Sequence, residues 1–175
     1  MIVILGESAS GKSTVQNILC KNYGYERLIT YTTRTPRENE KDGVDYHFIS
    51  EDTFENMYRN EVFCETAEYN GWQYGTAKND CTNNKVAVLT PHGLRQLKKI
   101  HELVLQSIYI NVPRRDRLVK ILQRGDNIEE AYRRSLSDVG QFDGILDEVD
   151  FAICNPEYRK SPSKLAQEII DRLVE

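Results

Sequence analysis

The chain has 175 residues, of which 39% are hydrophobic and 29% charged, a length and balance that suit one globular domain with a real core and make a two-domain reading unnecessary. Its 23 Lys and Arg stand against 27 Asp and Glu, a net charge of −4, so the overall balance gives no electrostatic reason to expect a nucleic-acid partner. No apolar run approaches a membrane span, and the first residues already read as a strand with no room for a signal peptide, so a cytoplasmic location without membrane contact is expected.

The first predicted element is the apolar strand Ile2-Val3-Ile4-Leu5. It runs into Gly6-Glu7-Ser8-Ala9-Ser10-Gly11-Lys12-Ser13-Thr14, and Val15, Ile18 and Leu19 then form a helical stripe that Gly24 stops. Strand, GxxxxGK[ST] loop and helix in that order mark a phosphate-binding loop. Gly6 and Gly11 let successive N–H groups turn inward into an anion-binding concavity at a helix N-terminus. Lys12 adds a mobile ammonium for the outer phosphates, and the Ser13 hydroxyl is positioned for Mg²⁺, a hard cation that takes oxygen ligands. Gly6, Ser8, Ala9, Ser10, Gly11, Lys12, Ser13 and Thr14 are therefore the expected triphosphate-binding residues.

From about residue 30 to 76 the chain is rich in Thr, Tyr, Phe, Asn and Gly, with alternating runs such as Tyr46-His47-Phe48-Ile49, and reads as a small β-rich insertion. It opens with Thr32-Thr33-Arg34-Thr35-Pro36-Arg37. Arg34 and Arg37 can fork onto a phosphate dianion while Tyr46 and Tyr74 donate hydroxyls to its remaining oxygens, and Pro36 pre-shapes the turn. The bland alternative for any one of them is a solvated basic turn beside sheet tyrosines. Together they make a monophosphate cradle.

Further strands are expected at Val86-Ala87-Val88-Leu89, from Leu103 to Val112 and at Phe151-Ala152-Ile153-Cys154. Their alternation with helical patterns predicts an α/β fold with a central parallel sheet flanked by helices. Thr90 as N-cap and Pro91 as first helical residue start a helix through Leu94, Leu97, Lys98 and His101. Residues 114–138 are strongly charged and helical, with Leu118, Ile121 and Leu122 as a narrow apolar face and Arg124-Gly125 as a stop. Ser161-Pro162 caps a last helix that carries Leu165, Ala166, Ile169, Ile170 and Leu173. Cys20, Cys64, Cys81 and Cys154 show no metal-ligand spacing and read as buried or incidental thiols.

The run from Thr32 through Arg37, Glu40 and Gly43 to Asp45-Tyr46-His47-Phe48 resembles the acceptor-site signature of the guanylate kinases, TTRTPRxxExxGxDYxF. The resemblance spans nearly the whole chain and takes in the phosphate loop, Glu65 with Tyr74-Gly75-Thr76, the charged segment around Lys120 to Gly125, and the late strand running to Asn155. It implies a P-loop kinase fold in one domain, with core segments 1–29, 77–113 and 139–175, a nucleoside-monophosphate-binding region 30–76 and a lid 114–138. It also implies ATP as donor, Mg²⁺ as cofactor, and GMP or dGMP as acceptor.

By the same resemblance Glu65 reads guanine. Guanine presents N1–H and N2–H₂ side by side to a carboxylate, a pair adenine cannot offer. Thr76 replaces the serine more usual at its position and keeps the hydroxyl, and Thr30 stands where another serine commonly faces the base. The GMP-binding set is then Thr30, Arg34, Arg37, Tyr46, Glu65, Tyr74 and Thr76, and the catalytic set is Lys12, Arg34, Arg124 and Arg134. Lys120 occupies a frequent arginine position, and the run from Gly125 to Arg134 is one residue shorter than usual, which leaves Arg133 or Arg134 as the second lid cation. A surface helix laced with i,i+4 pairs of Glu129 with Arg133 and Glu130 with Arg134 is the plain alternative.

One departure stands out. Guanylate kinases usually carry Asp-x-Asp after the strand ending at Leu89, whereas this chain has Thr90-Pro91-His92, a change that bears on guanine selectivity and turnover more than on phosphate binding. His92 reads as a helix-start residue in preference to a base, since a phosphate acceptor is already a competent nucleophile. A phosphoprotein-binding module without turnover and a relative with another acceptor remain the alternatives. No NKxD motif supports a GTPase switch, and Ser137-Asp138-Val139-Gly140-Gln141 only faintly echoes an ABC-type signature. A monomer or a dimer is expected, with nucleotides as the partners.

Overall fold

The strand before the phosphate loop lies at the centre of a five-stranded parallel sheet. The computed structural model describes residues 1–38, 40–69, 71–123, 125 and 128–174. In chain order these form β1 (Ile2–Leu5), α1 (Lys12–Tyr23), β2 (Glu26–Arg27), β3 (Tyr31–Thr32), β4 (His47–Phe48), α2 (Glu51–Arg59), β5 (Phe63–Tyr69), β6 (Trp72–Ala77), β7 (Lys85–Val88), α3 (Pro91–Leu97), β8 (Gln106–Asn111), α4 (Arg114–Gln123), α5 (Ile128–Ser137), β9 (Phe151–Cys154) and α6 (Pro162–Val174).

The main sheet has the order β2-β7-β1-β8-β9. Ile2 of β1 pairs with Val86 on one side and Gln106 on the other, and Ile4 with Val88 and Ile108. A parallel strand with neighbours on both edges must be apolar on both faces, and Ile2, Val3, Ile4 and Leu5 are all buried. Because side chains alternate, Ile2 and Ile4 join one core cluster with Val15, Leu19, Leu165 and Ile169 of α1 and α6. Val3 and Leu5 join the opposite one with Leu94 and Leu97 of α3 and with Ile145. The doubly covered sheet is the α/β architecture expected from the alternating pattern. It leaves the carboxyl end of β1 opening onto a crevice, where such sheets bind ligands.

The second sheet, β4-β3-β6-β5, is built from the stretch read as β-rich. That stretch also contains a helix the alternation does not reveal. Ser50 caps α2, its hydroxyl accepting from Thr53 N at 3.1 Å, Glu51 and Asp52 occupy the first turn where the helix dipole favours them, and buried Phe54 stacks on Phe63 at 4.6 Å between centroids. The short strand β2 also escapes a periodicity reading because two residues carry no period.

Two helices differ in detail from their patterns. α3 ends at Leu97, so His101 lies beyond it. On α4 the buried positions are Arg117 and Ile121, while Leu122 is 57% exposed. The apolar face is narrower than read because a paired arginine takes one of its positions.

Candidate active site

The phosphate loop is set by one close approach. A Cβ on Gly6 would lie 2.5 Å from Ser10 Oγ and 2.8 Å from the Ile110 carbonyl of neighbouring β8, so only glycine lets the chain leave β1 here. Ala9 takes φ 65° and Gly11 φ 93° at the N-cap of α1, the left-handed geometry that curls a loop around an anion. Lys12 Nζ folds across this curl and donates to Gly6 O at 2.6 Å and Glu7 O at 2.8 Å. Burial draws its ammonium down to about 8, against the upward pull of Asp138 and Glu7. Ser10 Oγ is buried and unpartnered among the described residues.

Beside the loop lies an ion cluster that the sequence reading missed. Arg117 of α4 donates from Nη2 to Glu7 Oε1 at 2.9 Å, from Nη1 to Asp138 Oδ2 at 3.3 Å and from Nε to Val112 O at 3.0 Å. Ser8 N donates to Asp138 Oδ2 at 2.8 Å and Tyr109 Oη to Glu7 Oε2 at 2.6 Å. Burial raises Asp138 above the usual carboxylate range against the Ser8 hydrogen bonds and the charges of Lys12 and Arg117. Helix α4 and the turn after α5 are thereby tied to the phosphate loop. Nothing local in sequence pairs positions 7, 117 and 138; the only signal is a charged residue at a buried helical phase.

Across the cavity stands the arginine cradle. Arg34, 5% exposed, donates from Nη2 to both oxygens of Glu40 at 2.9 and 2.8 Å and from Nη1 to Thr35 O at 2.9 Å. Its guanidinium lies 5.3 Å over the Tyr46 ring and 5.7 Å from Phe48. Burial pulls its pKa down, but the Glu40 hydrogen bonds and charge together with Tyr74 and Tyr46 outweigh it, and the net shift is upward. Arg37 N donates to Glu40 Oε2 at 2.9 Å and Arg37 Nη1 lies 3.7 Å from Glu40 Oε1. Glu40 thus sets both arginines, a role its place in the signature does not disclose. Tyr46 and Tyr74 meet edge to face at 6.0 Å.

Glu65 of β5 is a buried carboxylate, 4% exposed. Thr76 Oγ1 donates to its Oε1 at 2.5 Å. Burial raises its pKa and the Thr76 hydroxyl pulls it back. A Cβ on Gly93 would come within 2.9 Å of Glu65 Oε2, so α3 lacks a side chain where the carboxylate lies. Thr90 caps α3, accepting from Gly93 N at 3.1 Å, and His92 turns to Gln96 outside the cavity.

Of the expected residues, Gly6, Ser8, Lys12, Ser13, Thr30, Arg34, Arg37, Tyr46, Glu65 and Tyr74 line one cavity of about 270 Å³. Thr76 lies behind Glu65, fully buried. Ala9, Ser10, Gly11 and Thr14 line a second cavity of about 680 Å³ on the outer side of the loop, which Lys12, Ser13 and Arg37 also reach. Lys120 stands there over the Tyr158 ring at 5.6 Å, and Tyr158 Oη donates to Ala9 O at 2.8 Å. Arg124 lies outside the described residues, and of Arg134 only its place on α5 is described. Arg133 of the same helix lies 5.2 Å over Trp72 of β6, so α5 touches the β5–β6 hairpin.

A family model described as guanylate kinase matches residues 1–172. The chain is 34% identical over 162 residues to the guanylate kinase of Prochlorococcus marinus, covering 89% of this chain and 88% of the relative. Its identity to the guanylate kinase of Schizosaccharomyces pombe is 30% over 184 residues, with 99% and 84% covered. The solved guanylate kinase of Anaplasma phagocytophilum superposes with a TM-score of 0.73 at 24% identity, with 99% of this chain and 84% of that one covered. The Bacillus subtilis YorR protein, solved in complex with phosphorylated GDP, gives 0.51 at 18%, with 99% and 96% covered. The likeness to these two solved structures is one of fold.

Proposed function

The chain belongs to the guanylate kinase family, and from that premise we propose that it transfers the terminal phosphoryl group of ATP to GMP or dGMP. The observation that carries the reading is a single cavity lined at one end by Lys12 and Ser13 and at the other by Arg34, Arg37, Tyr46, Tyr74 and Glu65. A donor phosphate and an acceptor phosphate held by these two sets would face each other across it.

Phosphoryl transfer of this kind needs positioning and charge neutralisation above all. The loop N–H groups and Lys12 hold the donor phosphates. Arg34 and Arg37, fixed by Glu40, hold and orient the acceptor phosphate. Glu65 accepts from the guanine N1–H and N2–H₂, while Thr76 keeps its other side occupied and Thr30 lies beside the base. Arg124 and Arg134 are proposed as lid cations for the transferred group. Lys120 adds charge at the outer cavity without the bidentate fork of an arginine.

Mg²⁺ fits the donor set present: the Ser13 hydroxyl is exposed at the first turn of α1, and among the described residues no cluster of three acidic, histidine or cysteine side chains competes to hold a metal. Ser13 and the substrate phosphates would hold it, and when bound it neutralises charge on the phosphate oxygens. Cytoplasmic action on free nucleotides belongs to the same proposal, and no described helix is long and apolar enough to cross a membrane.

A coupled ADP-release assay with ATP, Mg²⁺ and each of GMP, dGMP, AMP, UMP, CMP and dTMP tests the proposal. Turnover with GMP or dGMP alone is the expected result. Turnover with another monophosphate would reassign the acceptor, and phosphopeptide binding without any turnover would replace the enzyme by a recognition module.

The pH profile gives a second test. With the Lys12 ammonium titrating near 8 in the free protein, kcat/KM for ATP is expected to fall as pH rises through about 8, because that ratio reports the free enzyme. Lys12→Arg, which stays charged, should lose this alkaline limb. A flat profile to pH 9.5 in the unmodified protein would remove Lys12 from the role.

A further inference from the structure

Two thiols 17 positions apart meet behind the acceptor site. Cys64 Sγ and Cys81 Sγ lie 2.9 Å apart, and a groove of about 560 Å³ lined also by Phe63, Lys78, Thr82 and Ile100 reaches both. Cys20 lies on α1 and Cys154 at the end of β9, so this is the chain's one thiol pair among the described residues.

The meeting has a cause in the sheet. In the ladder between β5 and β6, Phe63 pairs with Ala77 and Glu65 with Thr76, which leaves Cys64 as the extra residue of a β-bulge. A bulge re-aims side chains and is common beside functional sites. Here it turns Cys64 toward the segment after β6, where Cys81 follows the short turn Lys78–Asp80, and it sets the phase that sends Glu65 to the opposite side. Cys64 is thus the neighbour of the proposed guanine-reading carboxylate, and Cys81 lies on the connection to core strand β7.

We propose that Cys64 and Cys81 form a reversible dithiol–disulfide site, oxidised by a small peroxide, whose closure weakens GMP binding at Glu65; the binding half of this inference rests on the acceptor reading above. Cys64 is the attacking thiol. The Cys81 hydrogen bond draws it below its ordinary value against the upward push of burial, whereas Cys81 is raised by that hydrogen bond, by burial and by the nearby charges of Glu65 and Asp80. The Cys64 thiolate attacks one peroxide oxygen, the O–O bond breaks and, with one proton taken up, water leaves; Cys64 becomes a sulfenic acid. Cys81 sulfur then attacks the Cys64 sulfur, its own proton and the sulfenic hydroxyl leave as a second water, and the S–S bond forms. Two thiols are oxidised by two electrons and one peroxide is reduced to two waters. Since a disulfide is about 2.05 Å long, the sulfurs close by roughly 0.9 Å. That movement pulls on the bulge directly before Glu65 and staples the hairpin to its connection.

The test starts from the full chain, reduced, with Cys154→Ser to remove the exposed thiol. Treatment with hydrogen peroxide is expected to lower the intact mass by two hydrogens, to yield a peptide cross-linked between positions 64 and 81, and to raise the calorimetric Kd for GMP about tenfold with the ATP-analogue Kd unchanged, all reversed by dithiothreitol. Cys81→Ser should give no cross-link and no reversible loss of GMP affinity. Absence of the 64–81 cross-link overturns the site, and a cross-link with unchanged GMP affinity overturns the effect. Failure of the reduced protein to bind GMP at all would instead strike the acceptor reading, because the mass measurement does not depend on it.

Discussion

Lys12→Ala lowers kcat for the ATP and GMP reaction by about 10³-fold, the scale of removing a preorganised donor from a site where transition-state charge develops. The size follows from where the ammonium is held. It lies half-buried across the loop, bonded to the Gly6 and Glu7 carbonyls, so phosphate oxygens entering the curl meet a charge already oriented and little screened. The fold does not depend on it. Burial lowers the ammonium from 10.5 to about 8, so the unfolded chain binds more protons than the folded one between those values, and the stability cost of the buried charge is full below about 8 and fades as pH rises toward 10.5. Loss of turnover with a melting temperature at pH 7 that is not lowered, since the cost of the buried charge goes with it, is the expected pair of results. Turnover within tenfold of the unmodified protein would show that the loop does not hold the donor phosphates.

Glu65→Gln lowers kcat/KM for GMP by about 100-fold and leaves KM for ATP unchanged. A bidentate carboxylate reading two adjacent base donors is worth about 1–3 kcal/mol of discrimination; glutamine loses one acceptor and turns an N–H₂ toward guanine's own donors. Thr76 Oγ1 still has the amide oxygen to bond, so packing is kept. Initial-rate kinetics with GMP and AMP check this, and a change under threefold for GMP would remove Glu65 from base recognition.

The carboxyl also gives an acid limb. Burial raises it above 4.5 while Thr76 pulls it down, so recognition by the ionised form is expected to fade at a pH above the ordinary carboxylate range, and Thr76→Val should move that limb higher still. The stability sign is the reverse of that for a salt-bridged acid. The buried carboxyl costs nothing when protonated below 4.5, and the cost grows as pH rises through its folded pKa.

Much of the fold was legible because its signals are local. β1 and β9 coincide with their apolar runs, α1 stops at Gly24, and α6 starts at the Ser161-Pro162 cap. Burial on both faces makes a parallel strand a continuous apolar run, and caps sit within one turn of what they cap. Helix α2 was missed because aromatic and threonine residues around it carried the β pattern. The surface of α4 was misjudged for another reason: a buried arginine looks polar in sequence, and only its partners Glu7 and Asp138 explain its burial.

The site divides along the same line. Gly6 to Thr14 and Thr32 to Arg37 are contiguous runs, so their residue types and spacing declare phosphate chemistry before any folding is known. What tertiary structure alone decided is how distant residues meet: Gly93 leaving room for Glu65, Asp138 accepting from Ser8, and Cys64 facing Cys81 across a bulge. These contacts join positions on separate elements, and no spacing along the chain encodes them. By itself the sequence marked two contiguous runs whose residue types suit phosphate binding. The tertiary structure decided that both runs, with the buried carboxylate Glu65, border the same cavity.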